Sequence, residues 1–210
     1  MNDMDGNPAA PLLIVISAPS GGGKTTLCDM LLETLPNITR AVTATTRAPR
    51  PGEEHRKDYY FFSVEEFQRR VADGEFVEHA TVFGRSYGVL RSELLDKLRS
   101  GKDVLLNIDV QGAETLREQA QQEPELKRAL VSIFLTPASL AILEARLRRR
   151  NSDSEAEIQN RLAVAREELA HWKHFDYLVL STSKEEDLRQ ALAIVEAEKM
   201  RTERSHSPQF

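Results

Sequence analysis

The stretch that decides the fold is LLIVISAPSGGGKTTLCDMLL, residues 12–32. Its first five residues are a short apolar run rich in β-branched side chains, which is typical of a strand buried on both faces. Small, flexible residues and a lysine follow. Apolar residues then recur at helical spacing, at Leu27, Met30, Leu31 and Leu35. The sequence therefore predicts a buried strand, a glycine-rich loop and a helix in direct succession.

The loop between this strand and helix fits a phosphate-binding motif. Residues 18–25, APSGGGKT, follow the pattern G-x-x-x-x-G-K-[ST], except that Ala18 stands in the place of the first glycine. Consecutive glycines let backbone N–H groups turn inward around phosphate oxygens, and the helix N-terminus adds its positive dipole end. A glycine-rich turn with a chance lysine is the weaker interpretation, because the strand, helix and lysine are all in register.

We therefore expect this loop to hold the phosphates of a nucleoside triphosphate. Lys24 can bridge the outer phosphates, and the Thr25 hydroxyl can bind Mg²⁺. The predicted nucleotide-binding residues are Ala18, Pro19, Ser20, Gly21, Gly22, Gly23, Lys24, Thr25 and Thr26.

Strands alternate with helices along much of the remaining chain. The segments DVLLNIDV at 103–110, LVSIFLT at 130–136 and DYLVLS at 176–181 have the composition of buried strands. Helical patterns follow them at 110–122, 138–149 and 184–203. This alternation predicts an α/β fold with a parallel sheet flanked by helices on both sides.

The region from about residue 40 to residue 89 breaks this alternation. It is turn-rich and basic at first, and short strand-like runs then surround a predicted helix at 63–73. We interpret it as a small α+β lobe inserted between the first helix and the second core strand.

Composition narrows the class of protein. The chain has 210 residues, which suits one domain, and 40% of them are apolar. The net charge of −5 predicts no general attraction to nucleic acid or anionic lipid. A single cysteine, Cys28, excludes an intrachain disulfide framework and fits a reducing compartment. No apolar run approaches the roughly 20 residues that span a bilayer, and the acidic N-terminus does not resemble a signal peptide. We expect a cytoplasmic protein without nucleic-acid or membrane partners.

Two arginines of the inserted lobe point to a second anionic substrate. Arg47 and Arg50 are three residues apart on either side of a proline, in TTRAPRPGE. Two guanidinium groups on a stiff turn suit bidentate capture of a phosphate, and Tyr59 could add a hydroxyl donor. Beside a phosphate loop, such a pair predicts a phosphotransferase with a phosphorylated acceptor.

The chain resembles guanylate kinases from about residue 12 to residue 200. The resemblance is carried, in the family's order and spacing, by SAPSGGGKTT, TATTRAPRPGE, KDYYFF, FVEHATVFGRSYG, NIDVQGA and RLRRRNSDSEAEIQNRL. It implies ATP-dependent phosphorylation of GMP, and of dGMP, with Mg²⁺. It also implies one domain over 1–210 with a P-loop NTPase-type core. The implied parts are a core at 12–39 and 90–203, a GMP-binding lobe at 40–89, a helical lid at 146–162 and a tail at 204–210.

The resemblance implies a set of acceptor-binding residues. The GMP phosphate would be held by Arg47, Arg50, Tyr59 and Tyr87. Glu78, with Asp109 as a second acceptor, would read guanine, and the Thr43 hydroxyl would contact the base. Chemistry supports this assignment independently, because guanine presents two adjacent donors that adenine lacks. Binding adenine would leave a buried carboxylate unpaired.

The arginine-rich segment RLRRR, residues 146–150, matches the family's lid. The resemblance implies that Arg146, Arg150 and Arg161 act with Lys24 and Arg47 to stabilise charge on the transferring phosphoryl group. A nucleic-acid patch is disfavoured, because aromatic residues are not interleaved and the net charge is negative. Arg148 and Arg149 have no match in the family and are expected to be solvated. In the next helix Ile158, Leu162, Ala165, Leu169 and Trp172 form an expected core stripe.

Several positions depart from the family pattern. Asn107 stands where the family usually has an acidic residue, and Val89 stands where it typically offers a hydroxyl to guanine. Arg56 replaces a turn glycine. Ser181 and Thr182 replace an Asn-Asp pair near the adenine site. None of these changes removes Lys24, the two phosphate-binding arginines or Glu78.

Two alternatives to this function stay open. The first is a kinase of the same architecture that phosphorylates another nucleotide or a phosphorylated sugar; Val89 and Asn107 motivate it, and Glu78 and Asp109 oppose it. The second is a non-catalytic guanylate-kinase-like module that binds proteins. Such modules typically lose the glycines or the lysine of the phosphate loop, whereas this chain keeps Gly21, Gly22, Gly23 and Lys24. The oligomeric state is left open.

Overall fold

The structure is a computed structural model that describes residues 9–82, 84–149 and 154–205. Its strands are β1 (Leu13–Ser17), β2 (Ile38–Arg40), β3 (Ala44–Thr45), β4 (Tyr60–Phe61), β5 (Phe76–Val82), β6 (Arg85–Leu90), β7 (Asp103–Asn107), β8 (Leu130–Pro137) and β9 (Tyr177–Ser181). Its helices are α1 (Lys24–Thr34), α2 (Val64–Ala72), α3 (Arg91–Arg99), α4 (Val110–Gln122), α5 (Pro124–Ala129), α6 (Leu140–Arg149), α7 (Glu155–Ala170) and α8 (Lys184–Lys199). A 3₁₀ turn, Trp172–His174, follows α7.

The larger sheet confirms the predicted parallel α/β core. Its strand order is β2-β7-β1-β8-β9, and every neighbouring pair is parallel. The central strand β1 is buried along its whole length, as its continuous apolar run predicts. Strand β7 ends at Asn107 rather than at residue 110, because Asp109 already caps α4. The three-residue edge strand β2 was not predicted.

Side chains of β1 alternate between two hydrophobic clusters, so helices cover both faces of the sheet. Leu13 and Val15 belong to a cluster that includes α3 and α4 residues, namely Leu94, Leu95, Leu98, Ala113 and Leu116. Ile14 and Ile16 belong to a cluster on the opposite face, with Leu27, Cys28, Leu31, Ala191 and Val195 of α1 and α8. This two-sided burial fixes β1, and with it the start of the loop at its carboxyl end.

A second, four-stranded sheet is built from residues 44–90, in the order β4-β3-β6-β5. Helix α2 packs Phe67 against Phe76 and Leu90 of this sheet. Glu93 of α3 connects this sheet to the core through two hydrogen bonds. One of its carboxylate oxygens accepts from the Val42 backbone N–H at 2.8 Å, and the other accepts from the Tyr60 hydroxyl at 2.8 Å.

Two expectations about packing were wrong. Trp172 does not belong to the core; it is 42% exposed, because it lies beyond the end of α7, where the helical phase no longer applies. The tail expected at 204–210 does not begin at Arg204, and residues 206–210 lie outside the described residues. Arg204 is buried, and its guanidinium donates to the backbone oxygens of Arg128 and Leu130 at 2.8 and 3.1 Å. A helix boundary also differs from the prediction: the closing helix, predicted at 184–203, ends at Lys199.

Across the described residues, we find no helix whose length and apolarity would suffice to cross a bilayer.

Candidate active site

The phosphate loop joins β1 to α1 in a conformation that requires glycine. Gly21 and Gly23 have φ of 86° and 107°, in the left-handed region that side chains disfavour. The Gly22 N–H donates to the Pro19 carbonyl at 2.8 Å. A Cβ atom on Gly21 would lie 2.7 Å from Cδ2 of Leu147 on α6, so glycine also lets α6 approach the loop.

The departure at Ala18 is accommodated by the core. Its methyl group is fully buried in the same hydrophobic cluster as Leu27 and Cys28. A Cβ atom on Gly22 would lie 2.9 Å from the Ala18 Cβ atom. With alanine at the start of the motif, position 22 therefore has to be glycine.

Lys24 is held at the loop by its own backbone. Its Nζ donates to the Ala18 carbonyl at 2.9 Å. Burial lowers the pKa of Lys24, while the carboxylates of Glu168 and Asp109 act in the opposite direction. Thr25 and Thr26 follow in the first turn of α1, and both residues are exposed. Backbone donors, an ammonium group and a hydroxyl thus converge at one helix N-terminus, which is what a polyphosphate requires.

Helix α7 contacts the loop at Ser20. Nη1 of Arg161 lies 3.2 Å from the Ser20 Oγ atom, and Oε2 of Glu168 accepts from the Ser20 backbone N–H at 3.1 Å. The structure thus places one predicted lid arginine, Arg161, on the phosphate loop, whereas Arg150 lies outside the described residues. Glu168 was missed by the sequence analysis. Its spacing of seven residues from Arg161, which puts both on one helix face, was the available signal.

Arg146 lines a cavity of about 300 Å³ beside the loop, whose other walls include Gly21, Thr26, Met30, Ser181 and Thr182. Its Nη1 donates to the Ser181 Oγ atom at 3.0 Å. The Ser181 hydroxyl in turn donates to Oδ2 of Asp187 at 2.6 Å. The departure at Ser181 therefore still gives Arg146 a side-chain partner, and Asp187 fixes that partner in place.

Arg47 is preorganised in the inserted lobe. Its side chain is 8% exposed, and its Nη2 pairs with Oε1 of Glu53 at 2.8 Å. The guanidinium carbon lies 5.3 Å from the centre of the Tyr59 ring. The second carboxylate oxygen of Glu53 accepts from the Arg50 backbone N–H at 2.7 Å, and the Arg50 side chain is exposed. Glu53, which the sequence analysis also missed, thus holds the turn that carries both predicted phosphate-binding arginines.

Between the lobe and the core lies a second cavity of about 480 Å³. It is lined by Arg40, Ala41, Thr43, Glu53, Lys57, Asp58, Tyr59, Leu106 and Asn107. The predicted residues Thr43 and Tyr59 therefore face the same space as the departure Asn107. Tyr87 lies on β6, next to β3 in the lobe sheet, and is half-buried.

Glu78 and Asp109 place two carboxylates near one point. Glu78 lies on β5 and is 7% exposed, and Asp109 caps α4, which packs against β5. A Cβ atom on Gly112 would lie 3.2 Å from Oε2 of Glu78 and 3.4 Å from Oδ1 of Asp109. Burial, and secondarily the charge of Asp109, raises the pKa of Glu78 to about 7. Such a buried carboxylate is matched by a ligand that brings hydrogen-bond donors.

Two further departures have clear structural settings. Val89 pairs with Glu78 across β5 and β6 and is fully buried in the hydrophobic core, where a hydroxyl would need a partner. Arg56 adopts φ of 68°, the left-handed conformation that a turn glycine would adopt without strain.

Comparison with known proteins identifies the family of the chain. The guanylate kinase family model matches residues 11–198. A guanylate kinase of Paramagnetospirillum magneticum is 44% identical over 193 residues, covering 92% of this chain and 87% of that protein. One of Coxiella burnetii is 43% identical over 188 residues, covering 90% and 88%. A crystal structure of guanylate kinase from Anaplasma phagocytophilum superimposes with a TM-score of 0.70 at 38% identity, covering 93% of this chain and 90% of that one. The chain belongs to the guanylate kinase family.

Proposed function

We propose that this protein transfers the γ-phosphoryl group of ATP to GMP, forming ADP and GDP. The observation that carries the proposal is the combination of a phosphate loop with a buried carboxylate, Glu78, in a separate lobe. A loop of this kind binds the phosphates of a triphosphate, and a carboxylate can accept hydrogen bonds from the two adjacent donors of guanine. Membership in the guanylate kinase family supports the same reaction.

Phosphoryl transfer requires positioning and charge stabilisation more than covalent chemistry. We propose that an oxygen of the GMP phosphate attacks the γ-phosphorus in line. Lys24 and Arg161, both in contact with the loop, would stabilise the charge on the transferring group, together with Arg146 and Arg150. The hydrogen bond of Lys24 to Ala18 would be exchanged for phosphate oxygens when ATP binds.

The residues present fit a magnesium ion bound with the triphosphate. Thr25 offers an exposed hydroxyl next to Lys24, and oxygen ligands of this kind suit Mg²⁺. Bound there, Mg²⁺ would neutralise charge on the β- and γ-phosphates. Asn107 supplies an amide oxygen instead of a carboxylate at the end of β7, so Thr25 is the protein ligand that we assign.

The acceptor phosphate would be held in the lobe. Arg47 and Arg50 supply guanidinium groups, and Tyr59 and Tyr87 supply hydroxyl donors. Glu53 supports this role by fixing Arg47 and the turn at Arg50 before any substrate arrives, which lowers the entropic cost of binding. Thr43, on the wall of the cavity between lobe and core, is in place to contact the base.

Guanine would be read by Glu78 and Asp109. The ionised Glu78 can accept from N1–H and the 2-amino group, and pairing with these donors favours its charged form over the protonated one. Adenine offers an acceptor at N1 and would leave this carboxylate unpaired. The deoxyribose form dGMP carries the same base and should also be accepted.

We further propose that the lobe at 40–89 and the lid at 146–162 close over the bound substrates. The proposed acceptor residues lie in the lobe, apart from Asp109 at the start of α4, and the proposed donor residues lie on the loop, α6 and α7, so closure would bring these parts together. Closure would also exclude water, which would otherwise hydrolyse ATP. Small-angle scattering with and without both nucleotides should show a more compact protein in their presence, and unchanged profiles would count against closure.

We expect the protein to act in the cytoplasm without nucleic-acid or membrane partners. Its net charge of −5 and its single cysteine, which is fully buried, support this setting.

An acceptor screen tests the proposed reaction. ADP formation from ATP and Mg²⁺ would be measured with GMP, dGMP, AMP, CMP and UMP. We expect turnover with GMP and dGMP alone. Turnover with none of them despite measurable ATP binding would contradict the assignment of the acceptor, and absence of ATP binding would contradict a kinase function altogether.

A further inference from the structure

A second cluster of ligand-type side chains lies where the end of α7 meets α4. It consists of Glu114 on α4, His171 at the C-terminus of α7 and His174 in the following 3₁₀ turn. One ligand atom from each of the three residues lies within 4.8 Å of the other two. Nδ1 of His171 is 4.0 Å from Oε2 of Glu114, and Nδ1 of His174 is 4.0 Å from Oε1.

The backbone around this cluster is fixed by contacts that do not involve the three side chains. The His174 N–H donates to the His171 carbonyl at 3.0 Å, which closes the turn. Nη1 of Arg117 donates to the His174 carbonyl at 2.5 Å, and its guanidinium carbon lies 6.0 Å from the centre of the Phe175 ring. Arg117 is three residues beyond Glu114 on α4, so one helix face both supplies a ligand and anchors the opposing turn.

The distances between the ligand atoms are longer than those of a tetrahedral metal site, by an amount that side-chain movement can supply. With metal–nitrogen and metal–oxygen bonds of about 2.0–2.2 Å, two ligand atoms of a tetrahedral site lie roughly 3.4 Å apart. The two separations of 4.0 Å join different oxygens of Glu114, and one ligand atom from each residue lies within 4.8 Å of the others, so the ligand atoms have to approach one another by up to about 1.4 Å. Side chains exposed by 41% for Glu114 and His171 and by 52% for His174 can make this adjustment by changing their side-chain torsions.

We propose that Glu114, His171 and His174 form a binding site for a divalent transition metal of the zinc type, with a fourth position open to water. Two imidazoles and one carboxylate are the ligand set that Zn²⁺ accepts and that Mg²⁺ and Ca²⁺ disfavour. The site is therefore chemically distinct from the magnesium position at Thr25. The nearby guanidinium of Arg117 binds the His174 carbonyl and lies near the Phe175 ring, so it does not fill the metal position. Its positive charge will reduce the affinity of the site for a cation.

The position of the site gives an occupied metal a structural consequence. Helix α7 carries Arg161 and Glu168, both of which contact Ser20 of the phosphate loop, and α4 is capped by Asp109, which is proposed to read guanine. A metal bound to Glu114 and the two histidines would join these helices. We therefore expect it to raise the thermal stability of the protein, because it binds only the folded arrangement.

Calorimetric titration of the untagged, nucleotide-free protein with Zn²⁺ tests the proposal, with Co²⁺ absorption as a spectroscopic check on nitrogen ligation. We expect one equivalent to bind, with an affinity that falls at least about tenfold in both His174→Ala and Glu114→Gln. His55→Ala, which removes an exposed histidine of the lobe, should bind as the wild type does. Zn²⁺ should raise the melting temperature of the wild type but not of the two cluster variants, and Mg²⁺ should not replace it.

Because the cluster side chains are half-exposed, the two variants should fold, and metal-free melting curves will verify this. The proposal is overturned if the wild type shows no saturable binding of Zn²⁺. It is also overturned if the folded variants bind one equivalent with unchanged affinity, since the metal would then lie elsewhere. Neither result bears on phosphoryl transfer to GMP, which the acceptor screen measures separately.

Discussion

The carboxylate of Glu168 accepts a hydrogen bond from the backbone N–H of Ser20, with 3.1 Å between Oε2 and the nitrogen, across 148 residues of sequence. Burial raises the pKa of this carboxyl group, and the Ser20 hydrogen bond and the charge of Lys24 oppose that rise. An acidic side chain of α7 thus lies against the loop that is proposed to receive the most highly charged part of ATP.

We predict that Glu168→Gln lowers the KM for ATP on the order of fivefold, which corresponds to about 1 kcal/mol of binding free energy. The effect is this small because solvent screens charges strongly in an open site. The amide keeps an acceptor for the Ser20 N–H but removes a negative charge that repels phosphate and attracts Lys24. Initial rates against ATP concentration measure the effect, with Glu167→Gln, an exposed neighbour on α7, as the control. A higher KM for ATP in Glu168→Gln would show that the charge aligns the loop productively instead.

The raised pKa of Glu78 predicts a pH dependence of GMP binding. The carboxyl group has a pKa of about 7 in the free protein, so it is protonated below that value and ionised above it. Only the ionised form can accept from both guanine donors. The KM for GMP should therefore rise about tenfold for each pH unit below 7, while the KM for ATP changes much less.

Lowering the pH also protonates the phosphate of GMP, so a control must separate the two titrations. The Glu78→Gln variant keeps the phosphate titration and lacks that of the carboxyl group. A steeper dependence in the wild type than in the variant is expected. Parallel curves would mean that Glu78 does not titrate in this range or does not contact the base.

The ion pair between Arg47 and Glu53 predicts that losing Glu53 weakens the binding of GMP but not that of ATP. Glu53→Ala removes the partner that holds the Arg47 guanidinium and the turn at Arg50. The KM for GMP should rise about tenfold or more, because the phosphate site would have to be organised during binding. Steady-state kinetics with each substrate varied separately would measure this, and the KM for ATP should hold within twofold.

Glu54→Ala is the matched control for this prediction. Its side chain is exposed and pairs with Lys57 rather than with either arginine, and the bond from its backbone N–H to the Asp58 carboxylate is kept in the variant. An equal loss of GMP affinity in both variants would show that the turn in general, and not the Arg47 pair, sets the affinity.

Arg56 predicts a stabilising substitution. Because its φ of 68° strains any residue with a side chain, Arg56→Gly should raise the free energy of unfolding by a few tenths to about 1 kcal/mol. The gain is smaller than the strain, since glycine also gains freedom in the unfolded chain. Urea denaturation measures the change. Lys57→Gly, at a neighbouring exposed position without positive φ, should be neutral or destabilising, and a destabilised Arg56→Gly would contradict this explanation.

Much of the fold could be predicted because local patterns and tertiary packing agree in the core. The apolar run at Leu13–Ser17 predicts a strand buried on both faces, and the structure has one there. The glycines after it could then be assigned to the loop between this strand and α1. Helix α4 begins and ends where its pattern predicts, at Val110 and Gln122, and Asp109 caps its start. The departure at Arg56 was recognised from the family resemblance, and its positive φ was not predicted.

The remaining features depend on packing between distant parts of the chain. The spacing places Glu168 on the same face of α7 as Arg161, but nothing local indicates that this face reaches Ser20, or that Arg204 turns back to bind the backbone oxygen of Leu130. Trp172 fits the stripe of α7 in sequence, but the helix ends before it. Glu53 could have been found, because it stands three residues after Arg50 on a turn that also carries Arg47.

The most direct test of the central claim is the ratio of kcat/KM for GMP to that for AMP, measured for the wild type and for Glu78→Gln. If Glu78 reads the guanine donors, the ratio should fall by about a hundredfold or more in the variant, through loss of GMP activity, while the KM for ATP stays within twofold. A variant that keeps the wild-type ratio and GMP activity would show that guanine is recognised elsewhere, and the assignment of Glu78 would be wrong.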